Sequence, residues 1–179
     1  MNTNTNYQNQ DWYQDIYTKG FVILSEPNLL NLIAMDDNFQ LLNKEERLRD
    51  NGAKDIPQEL ANRFNMAGNY LQYKYIEPIW PNSQYKKFIV WDGVDKDNQF
   101  WHTDVFEDMN IFFLFYFDDT HNETGGAINF KWGDQTYKHQ PKKGDLILVS
   151  NKRGFFHRAD STSIRRRVAS FDFQVNGEI

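Results

Sequence analysis

Phe100-Trp101-His102-Thr103-Asp104 and the apolar run just beyond it, Ile111-Phe112-Phe113-Leu114-Phe115-Tyr116-Phe117, decide how this chain is read. The first segment carries a histidine and a carboxylate two residues apart in what reads as a strand. Side chains two apart on a strand leave the same face with origins about 6–7 Å apart, so one cation can bridge them. The second segment is apolar at every position. It reads as a strand covered on both faces, or as a half-buried strand with an aromatic outer face.

Working outward, short β-type runs alternate with turn signals to the end of the chain. Strands are expected at residues 86–91, 100–104, 110–118, 127–131, 135–139, 145–150 and 165–175. The turns between them carry Asp92-Gly93, Gly125-Gly126, Gly133-Asp134 and Lys143-Gly144. Such spacing points to an antiparallel sandwich or barrel. Upstream, residues 1–10 are almost all Asn, Thr and Gln and read as a frayed tail. A helix is expected from Asp11, a strand over 20–24, and a helix from Pro27 to about residue 35. Residues 36–55 are polar, with a charged helical stretch at 44–48 that reads as a solvated face. A longer helix over 57–76 presents Leu60, Phe64, Ala67 and Leu71 as one apolar stripe. The expectation is an α+β, mainly β, single domain over 11–179. Its helical part (11–80) would pack on one sheet of a β core (81–179).

The sequence contains no cysteine, so thiolate nucleophiles, disulfides and sulfur-bound metals are excluded. Any metal must be held by imidazole and carboxylate. The formal net charge of −5 argues against a basic nucleic-acid binder. No stretch has the length and apolarity of a membrane span, and a cytoplasmic location is expected.

The chain has four histidines, which narrows the search for a third ligand beside His102 and Asp104. His157 follows the strand at 145–150 and the turn near Gly154, so it lies on a returning element. His121 falls in a polar turn, and His139 near a strand end reads as structural. Two imidazoles and one carboxylate leave open positions on an octahedral ion, as non-haem iron(II) oxygenases require. Zinc also accepts this set, but zinc hydrolases add a general base and none stands out.

The ordered series as a whole runs from His102-Thr103-Asp104 through Phe117-Asp118-Asp119, Thr124-Gly125-Gly126-Ala127-Ile128 and Pro141-Lys142-Lys143-Gly144-Asp145-Leu146-Ile147. It ends on Phe156-His157-Arg158 and, ten residues after His157, Arg167. It resembles the iron(II)/2-oxoglutarate-dependent dioxygenase superfamily, in particular its small prolyl-hydroxylase-like branch, over roughly residues 85–173. The resemblance implies a double-stranded β-helix, a jelly-roll or cupin-like core. It implies Fe(II) on His102, Asp104 and His157, with 2-oxoglutarate as co-substrate and O₂ as oxidant. Arg167 is then expected to hold the distal carboxylate of 2-oxoglutarate, with Arg165 as the alternative on the same face and Tyr85 as a further contact. Arg166 is expected to point the other way. The superfamily's hydroxyl two residues after this arginine is missing, since Ala169 stands there and Ser170 falls on the opposite face. Asp104, as a carboxylate, favours hydroxylation over halogenation.

The implied reaction hydroxylates an amino acid, a peptidyl residue or a related small metabolite and releases succinate and CO₂. A nucleobase oxygenase is the first alternative. It would need a basic surface, for which Lys131, Lys138, Lys142, Lys143, Lys152, Arg153 and Arg158 are candidates. A non-catalytic cupin-like metal-binding module is the second. Glu107 and Asp108 read as loop residues within reach of a substrate, and Trp101 and Trp132 as pocket or core aromatics. Oligomeric state has no signature in the sequence.

Overall fold

The computed structural model describes residues 11–34, 56–104, 110–151 and 154–176. The polar tail, the charged stretch at 44–48, Glu107, Asp108, Lys152 and Arg153 lie outside them. Three α-helices, α1 (Asp11–Lys19), α2 (Asn28–Ile33) and α3 (Gln58–Leu71), precede most of the sheet structure. A π-helical turn, Gln72–Ile76, extends α3. Eight strands follow the order β1 (Phe21–Ser25), β2 (Gln84–Gly93), β3 (Ile111–Tyr116), β4 (Ile128–Trp132), β5 (Gln135–His139), β6 (Asp145–Ser150), β7 (Phe155–Ala159) and β8 (Arg166–Gln174). They form a five-stranded sheet, β1-β6-β3-β8-β2, and a three-stranded sheet, β5-β4-β7, both antiparallel.

Each face of the larger sheet is buried against a different partner, which explains why β3 is apolar throughout. On one face Phe113, Phe115, Phe171, Phe173, Phe88 and Val90 join Phe64, Leu71 and the other helix residues in the larger core. The stripe Leu60, Phe64, Ala67, Leu71 is the helical side of this contact, as its spacing implies. On the other face Phe112, Leu114, Tyr116, Ile147, Val149 and Val168 meet Ile128 and Phe130 of the smaller sheet. Phe21 stacks on Phe130 with ring centroids 4.0 Å apart, joining the sheets at the β1 edge. Hereafter the helix-covered side is the outer face, and the side toward the smaller sheet is the inner face.

Two departures from the expected strands matter for function. Residues 100–104 form no ladder: a single bridge joins His102 to His157. The returning element after Gly154 is itself a strand, β7, which ends the smaller sheet with β4 on one side and that bridge on the other. In β2 a bulge falls between Tyr85 and Lys87. It lets Tyr85 lie on the outer face beside Phe173 while Lys87 turns to the inner face opposite Asp172.

Gly20 joins α1 to β1 with φ +79, and its amide bonds the Ile16 carbonyl to close the helix. A Cβ there would sit 1.9 Å from the Phe155 ring. Gly20→Ala therefore combines a strained backbone with overpacking, and urea unfolding is expected to show a loss of about 2–4 kcal/mol.

Candidate metal centre

The site starts from a backbone constraint. The His102 amide donates to the His157 carbonyl at 3.1 Å, and the His157 amide donates back to the His102 carbonyl at 2.9 Å. Residues that exchange both bonds in this way face each other with side chains on one side. The two imidazoles accordingly lie with ring centroids 4.4 Å apart. Outside that bridge, the segment carrying His102 is fastened to β7 and the strand end beyond it by further bonds. The Gln99 amide donates to Ala159 O at 2.9 Å, the Thr162 amide to Asp95 O at 2.7 Å, and the Ser161 amide to Asn98 Oδ1 at 2.7 Å. A strand reading of 100–104 fails because side-chain and loop bonds replace the ladder.

Asp104 completes the cluster. Its Oδ2 lies 3.4 Å from His157 Nε2, and its Oδ1 lies 3.8 Å from His102 Nε2. One ligand atom from each of the three residues falls within 4.8 Å of the others. Neighbouring ligands on an octahedral ion sit about 3 Å apart when bonds are close to 2.1 Å. The three groups therefore fit one divalent ion after small side-chain adjustments. His102 Nδ1 lies 2.7 Å from the Phe100 carbonyl. A proton on Nδ1 satisfies that carbonyl and leaves Nε2 as the lone-pair ligand, which fixes the ring for metal binding. His157 is buried, and its ring lies 5.3 Å from that of Phe112 on the inner face of β3.

The three neighbouring arginines separate by parity. β8 is buried along both faces from Arg166 to Phe173. Val168 and Arg166 point inward, whereas Arg167 shares its face with Ala169, Phe171 and the helices. The expectation that Arg167 shares the metal's cavity is thus corrected. Its guanidinium pairs with Asp118, Nη2 to Oδ1 at 2.5 Å and Nε to Oδ2 at 3.0 Å. Arg165 forks onto Asp92 at 2.5 and 2.6 Å, and Asp92 is the register partner of Arg167. Tyr85, the third co-substrate candidate, packs its ring over Gly68 of α3 on the same outer face.

Arg166 is the inward guanidinium. It is 7% exposed, donates from Nη1 to the Gly126 carbonyl at 3.2 Å and pairs with Asp95 through Nη2 at 2.5 Å. Its charge acts on Tyr116, which faces the same interior. Burial pushes the Tyr116 hydroxyl up to about 12, with Arg166 opposing, so this phenol is protonated at neutral pH. Asp172, Ser170 and Lys87 also lie on the inner face, and the sequence reading gave none of the three a role at the site. Ser170 shares its parity with Arg166, four residues before it, and Val168 stands between them.

The other candidates lie apart. His139 bonds Asp145 at 2.8 Å, and His121 is exposed in its turn. Trp132 stacks on Phe155 at 4.1 Å, and Trp101 covers the guanidinium of Arg158 at 4.8 Å. Lys131, Lys138 and Arg158 sit on the smaller sheet's face opposite His157, where Lys138 and Arg158 share Asp160. The surface groove lined by Tyr70, Tyr73, Lys74, Glu77 and Pro78 belongs to the helical layer and includes no residue of the metal cluster. Among the described residues, no helix is long and apolar enough to cross a membrane.

No protein-family model matches the chain. No curated protein matches it either. Solved structures do share its fold. An oxidoreductase of the 2OG-Fe(II) oxygenase family from Burkholderia pseudomallei superposes with a TM-score of 0.66 at 12% identity, over 92% of this chain and 88% of that one. A prolyl 4-hydroxylase from Phytophthora capsici gives 0.62 at 15% identity, over 93% of this chain and 62% of that one. A Trichoplax adhaerens prolyl hydroxylase, solved with a peptide of a hypoxia-inducible factor, gives 0.57 at 15%, over 92% and 87%. The chain therefore has the fold of 2-oxoglutarate-iron(II) oxygenases, including prolyl hydroxylases.

Addition of Co(II) to the purified chain is expected to raise its melting temperature. His157→Ala and Asp104→Ala should each weaken the ion by about 100-fold or more in a spectroscopic titration.

Proposed function

We propose that the chain is an iron(II)- and 2-oxoglutarate-dependent oxygenase built on a double-stranded β-helix, which hydroxylates an amino acid, a peptidyl residue or a related small metabolite. The observation that carries this reading is the cluster of His102, Asp104 and His157 held on one side by the reciprocal backbone bridge, with a buried guanidinium further along the same inner face. The donor set fits a ferrous ion, because two neutral imidazoles and one carboxylate bind it and leave sites for co-substrate and oxygen. Iron bound there with 2-oxoglutarate and O₂ supplies the oxidising chemistry, with succinate and CO₂ as the by-products.

The chain's own part is to hold and exclude. Phe112 and Phe130 flank His157 and keep bulk water from that side of the ligand set. Arg166, in place of Arg167, is the residue that would hold the distal carboxylate of 2-oxoglutarate. A guanidinium carries five N–H donors, so its bonds to Gly126 and Asp95 leave capacity for an anion. Tyr116, protonated and inward, would donate its hydroxyl to the same carboxylate. The acidic net charge, and the position of Lys131, Lys138 and Arg158 on the face away from His157, favour a small or peptidyl substrate over a nucleobase.

The test is succinate formation from 2-oxoglutarate with Fe(II), followed by a substrate screen. Arg166→Gln is expected to raise KM for 2-oxoglutarate by about 30-fold or more, while Arg167→Gln leaves KM within about twofold and lowers the melting temperature. KM does not depend on the fraction of folded protein, so the comparison separates binding from stability. The opposite ranking would return the role to Arg167.

A further inference from the structure

We propose that Asp172 orients the substrate and selects one that carries a protonated amine next to the carbon to be oxidised; this rests on the oxygenase reading above. Across the metal end of the larger sheet, the register aligns Val149, Phe112, Asp172 and Lys87 on the inner face, one from each of four adjacent strands. Phe112 touches the His157 ring at 5.3 Å, and directly opposed residues in an antiparallel pair have Cβ atoms about 4.5–5.5 Å apart. The carboxylate of Asp172 is therefore one side chain away from the metal ligands, on the wall against which a substrate must lie.

Asp172 is 3% exposed, and its Oδ1 accepts a hydrogen bond from Ser170 Oγ at 2.6 Å. Burial pushes its carboxyl up to about 6; Ser170 and the charge of Lys87 oppose this, and Asp104 adds to it. The fold does not need a carboxylate here, because the neighbours Phe112 and Val149 are apolar and a hydrophobic side chain would complete the row. A buried anion is costly unless a cation joins it. Lys87 lies on the edge strand and is half-buried, so it approaches from the side nearer solvent. A cationic group on the substrate would compete with Lys87 for Asp172 from the metal side and fix the substrate's orientation relative to the metal. Departures from local consistency of this kind concentrate at functional sites.

The test uses a panel of amino acid amides, each compared with its fully N-acetylated, uncharged form. Binding to the full chain loaded with Fe(II) and 2-oxoglutarate is measured by anaerobic calorimetry, and turnover by succinate release. At least one amine should bind at least tenfold more tightly than its acetylated form and accelerate succinate release. In Asp172→Asn that preference should fall to about one, a ratio that a purely structural role would not move. Lys87→Met should bind the amine as tightly as wild type or more tightly, because the competing internal cation is gone. Asp172→Asn should also keep or gain melting temperature at pH 7.5, whereas an essential Asp172–Lys87 pair would lose it. The proposal is overturned if no amine is preferred over its acetylated form, if Asp172→Asn keeps the preference, or if either variant behaves as a broken structural pair. Wild-type protein that releases no succinate under any condition defeats the oxygenase reading itself, a separate result.

Discussion

Two backbone hydrogen bonds between His102 and His157 hold the candidate centre together. They fix the separation of two imidazoles that are far apart in sequence, and they do so where no ladder continues. All other placements follow from that point of attachment. Asp104, two residues on, falls beside both rings. Asp95, Asn98 and Gln99 lace the approach to the bridge. The smaller sheet carries His157 at its edge strand β7, so the bridge also ties the loop to the second layer of the fold.

The larger sheet acts as a partition. Its outer face is apolar and aromatic under the helices, and at one end Arg165 and Arg167 meet Asp92 and Asp118. Its inner face holds Arg166, Ser170, Asp172 and Lys87 among apolar neighbours. Hydrogen-bonded polar groups are affordable there because each has a partner, and they are informative because a core alone would not require them.

Much of this was legible in the sequence. The aromatic run of β3 declared a strand and left open whether both of its faces are covered, the stripe of α3 declared its buried face, and β5 and β6 fell on the expected residues. His102, Asp104 and His157 were legible as a set because parity works on a short polar motif and histidines are few. Parity failed in β8 for a physical reason. Alternation reveals the inner face only when one face is wet, and β8 is buried on both. Three consecutive arginines then offer no contrast, and the choice among them depends on which side the helices cover. The bulge in β2 was equally invisible, and it is what turns Tyr85 outward and Lys87 inward.

That bulge has a second effect, on how the molecule meets copies of itself. β2 is the last strand of its sheet, and at ten residues it is long for an edge. A straight outer strand of this length presents amide and carbonyl groups that invite another chain to pair. An irregular kink beside the charged side chains of Lys86 and Lys87 spoils such a match, a known protection against sheet-to-sheet aggregation. The distortion that turns one lysine toward the interior thus also helps keep this border of the protein solitary.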